Sequence, residues 1–302
     1  MLGPSPNVCP AEFAHVFSQW QQCDFENEIS DAEITCEFAT LHQADALVLD
    51  DYRVNDDYQQ VLVRHRMHWL QFDGTGQKNL WADWVINAIP GIHVDMYADR
   101  LKNPHTRLLL GPKYALLRPE FTSQVLPEKN EQRSKRLFIF AGGGDDKQIL
   151  QLILNTVLSM NVGLKLCAVT TSHNPGLNHL KHWINNHSQS ENIELHVDTK
   201  DMSSLMRSCG MAVVSAGTVT YEVNALGMPM VLFSMAENQN TQALAWADLT
   251  GASFLGDYRQ LTEFQITQAL SNMFQHAHIP VKKCVDGQGA QRVVDVLLES
   301  MQ

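Results

Sequence analysis

Short apolar runs alternate with longer amphipathic stretches along this chain. In the first half, the runs Ala46–Leu49, Trp69–Phe72, Trp84–Asn87 and Leu108–Leu110 predict β-strands. In the second half, Leu137–Ala141, Leu164–Val169, Ile193–His196, Ala212–Ser215 and Met230–Phe233 do the same. Helical spacing appears between them, over Lys147–Ser159, Asn178–Asn186, Ser203–Ser208, Thr220–Ala225 and Thr241–Leu249. Strands that are apolar throughout, separated by helices, predict parallel sheets covered on both faces, hence an α/β fold. The stretch Phe121–Arg136 is polar and charged and contains Pro127, which marks it as a linker. A domain boundary is therefore expected near residue 130, giving domains over 1–130 and 131–302. A last helix over Ala290–Met301 carries apolar Val293, Val294, Val296, Leu297 and Met301.

Composition narrows the class. A chain of 302 residues suffices for two domains, and 44% hydrophobic residues suits a globular protein. No apolar run approaches the roughly 20 residues that cross a bilayer, so no membrane span is expected. The opening residues have neither the basic cluster nor the apolar core of a signal peptide. Six scattered cysteines without a CxxC pair fit a reducing compartment, and a cytoplasmic location is expected. The net charge of −11 opposes nucleic-acid backbones, so no nucleic-acid partner is expected. A small anion can still bind through backbone amides.

Three segments carry candidate chemistry. The first is Gly142-Gly143-Gly144-Asp145-Asp146, between a strand and a helix. Glycines let the backbone approach a ligand closely, and a helix start favours phosphate. No Gly-Lys-Ser/Thr follows, so it is not a Walker loop. By itself it also reads as a tight turn with Asp145 or Asp146 capping the helix. The second runs from Ser215 through Gly217, Thr218 and Glu222 to Gly227 and Pro229. Ser215, Gly217 and Thr218 fall at the carboxyl end of a strand, the edge where parallel sheets bind ligands. Glu222 lies one turn on, where its carboxylate can accept two ribose hydroxyls or simply be a solvated helix charge. The third is Ala236-Glu237-Asn238-Gln239-Asn240, whose amides suit a sugar or a base edge, or cap the next helix.

In order and spacing these segments resemble the nucleotide-binding half of GT-B enzymes such as the lipid II N-acetylglucosaminyltransferase. The first half narrows the resemblance. Asp50-Asp51-Tyr52 closes a strand where the UDP-sugar hydrolases of pseudaminic acid biosynthesis show Asp-His-Tyr or a close variant. Phe72-Asp73-Gly74 followed by Ala82-Asp83-Trp84-Val85-Ile86-Asn87 is similar to another stretch of that family. The run Gly111-Pro112-Lys113-Tyr114-Ala115-Leu116-Leu117-Arg118-Pro119-Glu120-Phe121 is very close to a family signature, and Val285-Asp286-Gly287-Gln288-Gly289-Ala290-Gln291-Arg292 also fits. The matches run from about residue 45 to the end.

The resemblance implies a GT-B-like fold of two Rossmann-like parallel-sheet domains facing a cleft, the first incomplete. It implies hydrolysis of a UDP-linked 2,4-diacetamido-2,4,6-trideoxyhexose to free sugar and UDP. The implied nucleotide-binding residues are Gly142, Gly143, Gly144, Ser215, Gly217, Thr218 and Glu222. Tyr52, Tyr114, Asn238 and Gln239 are the implied sugar contacts. No cofactor or metal is implied, and the chain contains no Asp-x-Asp motif. The family opens with a strand and a Gly-x-Gly-His-x-x-Arg turn that bears its presumed base. That turn has no counterpart here, so the chain is expected to start inside the second strand of the domain and no catalytic residue is assigned. His15 and His42 are weak substitutes, a lone histidine being usually structural or solvated. His179, His182 and His187 lie close together, His179 and His182 on one helix face, and read as a wet face because a zinc site needs a third and usually a fourth ligand in place. Two other readings remain open, a UDP-sugar glycosyltransferase of the same fold and a UDP-sugar-binding protein without turnover.

Overall fold

The computed structural model describes residues 28–51, 53–74, 76–122, 131–276 and 280–300. Its contacts form two compact units. One comprises the chain up to Ala88, Ile92–Leu110 and the tail from Val294; the other comprises Ile89–Gly91 and Gly111–Val293.

The first unit is built on strands β1 (Leu47–Leu49), β2 (Trp69–Phe72), β3 (Trp84–Asn87) and β4 (Arg107–Leu110). All pair in parallel, in the order β1-β2-β3-β4, with Leu70 beside Trp84 and Trp84 beside Arg107. Helices α1 (Glu28–Leu41) and α2 (Asp56–Arg64) supply Ala32, Cys36, Tyr58, Val61 and Leu62 to a core with Trp69, Leu80 and Val85. The Asn55 side chain caps α2 by accepting from the Tyr58 amide. At the carboxyl ends of β2 and β3, buried Asp73, Asn87 and Tyr97 satisfy one another: the Tyr97 hydroxyl donates to Asp73 and accepts from Asn87.

The second unit holds strands β5 (Arg136–Phe140), β6 (Lys165–Thr170), β7 (Ile193–Val197), β8 (Met211–Ser215), β9 (Met230–Ser234) and β10 (Ser253–Asp257). They form one parallel sheet in the order β10-β9-β8-β5-β6-β7. Its helices are α3 (Ile149–Ser159), α4 (Leu177–Asn186), α5 (Met202–Arg207), α6 (Val219–Ala225), α7 (Gln239–Thr250) and α8 (Glu263–Gln275). Leu137 and Ile139 of β5 join Ile153, Leu154, Leu180 and Ile266 in a core beneath α3, α4 and α8. Phe138, fully buried, points to the opposite face, as the two-residue period of a strand requires. This accounts for β5 having no polar alternation.

The long run of the second unit begins at Gly111, ahead of the boundary expected near residue 130. The physical reason is close packing of the stretch 111–122 on distant parts of that unit. A Cβ at Gly287 would stand 2.6 Å from Thr122 Cα, and one at Gly289 would overlap the Ala115 carbonyl. The Ser203 hydroxyl also donates to the Glu120 carbonyl at 3.0 Å. Residues 123–130 of the expected linker lie outside the described residues. Helix α9 (Gly289–Ser300) buries Val293 in the second unit. From Val294 onward it belongs to the first, where Ser300 Oγ accepts from Arg107 and Trp84.

Candidate functional site

The course of the chain through the six-stranded sheet creates the candidate site. From β5 it moves outward to β6 and β7, then returns to the other side of β5 for β8, β9 and β10. β5 and β8 are therefore neighbours whose outgoing connections diverge, with Phe140 paired to Val214. Open parallel sheets bind ligands at the carboxyl ends of such a pair. The two glycine-containing segments picked out in the sequence leave the sheet at this place. Ala141-Gly142-Gly143-Gly144 follows β5, and Ala216-Gly217-Thr218 follows β8.

The loop after β5 is held open by a buried polar network. Gly142 adopts φ +114°, which an L side chain rarely tolerates. Lys147 and Gln148 also take left-handed φ values, 52° and 64°, so the helix begins at Ile149, later than expected. Asp146, 4% exposed, accepts from the Gln148 and Leu150 amides; it, and not Asp145, satisfies the helix start. Buried Asn174 donates to Asp146 at 3.1 Å and to Thr170 at 3.0 Å. The Thr171 hydroxyl donates to the Gly143 carbonyl at 2.5 Å. The loop after β6 thus braces the loop after β5, while Gly143 and Gly144 remain exposed.

The turn after β8 is braced from α7. Gln242 Nε2 donates to the Gly217 carbonyl at 2.9 Å and to Thr220 Oγ1 at 3.0 Å. Gln239 Nε2 lies 3.6 Å from the place a Gly217 Cβ would take, and its Oε1 accepts from the Met235 amide. Thr218 is exposed, Gly217 half-buried, and Ser215 buried at the strand end. Asn238 is exposed at the start of α7. The second and third segments therefore meet, through Gln239 and Gly217.

Glu222 lies on α6, with its side chain 16% exposed. Burial pushes its carboxyl above the ordinary value; Arg118 opposes that shift and Glu120 adds to it. Arg118 Nη2 donates to Glu222 Oε1 at 3.0 Å and Nε to the same oxygen at 3.3 Å. Asn224, fully buried on the same helix, accepts from the Cys284 and Val285 amides and donates to the Lys282 carbonyl. Arg292 bonds Asp286 and the Lys113 carbonyl, each at 2.8 Å, and holds the Asp286 carboxyl down at about 2. The stretches 111–121 and 285–292, far apart in sequence, are thus packed together beside α6. Tyr114, half-buried, sits in the first of them with Lys113 Nζ 5.0 Å from its ring centre.

The sequence assigns no role to Arg118, Asn224 or Asn174, and offers Asp146 only as a helix cap. Arg118 and Asn224 stand inside the candidate stretches, but their partners are tertiary. Tyr52 and His15 lie outside the described residues. His42 follows the C-terminal end of α1 and stacks on Phe38, at the amino end of β1 and away from the ligand-binding edge. Among the described residues no group of three or more His, Cys, Asp or Glu side chains is arranged to hold a metal. Nor is any helix among them long and apolar enough to cross a membrane.

No protein-family model matches the chain. The spore coat polysaccharide biosynthesis protein SpsG of Bacillus subtilis is 26% identical over 230 residues, covering 74% of this chain and 66% of its own length. An uncharacterised protein of Methanocaldococcus jannaschii is 25% identical over 199 residues, 65% of this chain. The chain spans less than two thirds of these relatives, 41% of the second. Among solved structures, Acinetobacter baumannii MurG superposes with a TM-score of 0.64 at 14% identity, covering 90% of this chain and 78% of MurG. Staphylococcus aureus MnaA, solved with UDP, superposes at 0.60 and 10% identity, covering 88% and 78%. These likenesses show the fold, which is of the GT-B type.

Proposed function

We propose that this chain binds a UDP-sugar through its second unit and cleaves the bond between the anomeric carbon and the diphosphate with water. One observation carries the nucleotide part: the glycine turns at 142–144 and 217 leave adjacent strands where the sheet order reverses. The exposed backbone at Gly143 and Gly144 suits a diphosphate, and Glu222 one turn beyond Gly217 suits the ribose hydroxyls. Within the second unit, the sugar is assigned to Tyr114, Asn238 and Gln239. The UDP held by MnaA on the same fold and the polysaccharide pathway in the name of SpsG support the substrate class. The hydrolytic reading rests on the 111–121 and 285–292 stretches, which resemble the hydrolases of pseudaminic acid biosynthesis.

In that reaction the water oxygen bonds to the anomeric carbon. The bond to the diphosphate breaks with its electron pair passing to UDP, and one water proton leaves to a base. The amides of the Gly142–Gly144 turn would stabilise the charge on the departing diphosphate. The test is incubation with the UDP-linked diacetamido sugar and with UDP-N-acetylglucosamine, with and without acceptor alcohols. UDP released together with equimolar free sugar supports hydrolysis. Release only with an acceptor replaces it by the transferase reading, for which the shared fold leaves equal room. UDP binding with no release replaces it by a binding role.

A further inference from the structure

Arg118 is held on three sides. Two of its nitrogens donate to Glu222 Oε1, Nη1 lies 3.2 Å from Glu120 Oε1, and its guanidinium carbon stands 5.2 Å from the ring centre of Phe121. Phe121 is itself 1% exposed, so the platform beneath the guanidinium is fixed. Glu222, by contrast, is bonded through one oxygen only. Among the described residues, its Oε2 makes no hydrogen bond. A carboxylate held at one oxygen leaves the other to accept a further donor.

We propose that Arg118 is a positioning residue for nucleotide binding: it grips Glu222 by Oε1 and so keeps Oε2 turned toward the ribose hydroxyls. This rests on the reading of Glu222 as the ribose acceptor. It also gives the 111–121 stretch a task at the nucleotide, because Arg118 is the member of that stretch that reaches α6. The charge logic agrees with the geometry. Burial disfavours the Glu222 carboxylate and Glu120 adds to that, so a cation beside it is what keeps the better acceptor form in place. A lysine supplies charge from one point and cannot stack on Phe121 as a planar guanidinium does.

The experiment pairs two ligands with two variants. Calorimetry measures UDP and 2′,3′-dideoxyuridine diphosphate on the wild-type chain, on Arg118→Ala and on Arg118→Lys. Arg118→Ala is expected to weaken UDP about tenfold, as for loss of one charge-supported hydrogen bond. The dideoxy ligand, which lacks both hydroxyls, is expected to bind all three proteins alike. Arg118→Lys is expected to fall between wild type and Arg118→Ala for UDP, and it stands in if the alanine variant does not fold. On lowering the pH, UDP affinity is expected to fall at a higher pH in Arg118→Ala than in wild type, since burial then raises the Glu222 carboxyl unopposed. Equal losses for both ligands overturn the assignment, because Arg118 would then act on the diphosphate or on folding alone. A folded wild-type chain that does not bind UDP overturns the underlying nucleotide reading instead.

Discussion

Gly289 and Ala115, far apart in the chain, approach so closely that any side chain at 289 would overlap the Ala115 carbonyl. Gly287 stands in a similar position against Thr122, at φ +78°. These contacts join the segment that opens the second unit to the one that closes it. Gly289→Ala is expected to cost about 2 kcal/mol through overpacking, seen as a lower urea midpoint with an unchanged slope. Gly144→Ala is the comparison, since nothing lies within 4 Å of its added methyl and its φ is ordinary. It is expected to change stability by less than about 0.5 kcal/mol.

Asn224 is the polar pin of the same arrangement. Its replacement by alanine leaves the Cys284 and Val285 amides and the Lys282 carbonyl without their partner. The expected loss is about 3 kcal/mol, at the upper end for a buried network, read by thermal or urea unfolding. An effect below about 0.5 kcal/mol would show that water takes over these bonds.

The Asn174–Asp146 bond predicts an effect on both stability and ligand binding. Asn174→Ala removes donors to Asp146 and Thr170 and unties the loop after β5. A loss of about 1–2 kcal/mol is expected, with weaker UDP binding. Stability lost without any change in UDP affinity would detach the Gly142–Gly144 loop from the nucleotide.

Asp286 predicts a pH dependence. Arg292 depresses its carboxyl to about 2, below the ordinary 3.8. The folded state therefore binds this proton less readily than the unfolded one. The pair's contribution is complete above about pH 4 and is lost as pH falls toward about 2. The pair is partly exposed, with side-chain accessibilities of 35% and 45%, so solvent screening limits its contribution to less than about 1 kcal/mol. Asp286→Asn is expected to flatten that part of the acid unfolding curve, measured by circular dichroism at fixed urea.

Much of the fold was legible because both sheets are parallel and buried. All nine strands expected from apolar runs are present, with ends within a residue of expectation. The elements missed had weaker signals. Helix α1 faces its core with Ala32, Thr35, Cys36 and Ala39, small side chains that make a faint apolar stripe. Helix α2 buries Gln59 among its apolar residues. Strand β10 is half-buried and breaks register between Phe254 and Asp257, around Gly256 at φ +89°. Helix α8 did carry a readable signal, the Thr262–Gln265 capping box. At the site, glycine turns announce themselves in sequence because their backbone demands are local. The Arg118–Glu222 and Asn174–Asp146 bonds do not, because only the folded chain brings these residues together.

Calorimetric titration of UDP into the wild-type chain and into Glu222→Ala decides whether the β5–β8 edge binds a nucleotide. Saturable binding is expected in the wild type, weakened about tenfold to a hundredfold in a variant with an unchanged melting temperature. A folded wild-type chain that gives no heat of UDP binding, and no thermal stabilisation by UDP, would contradict the account.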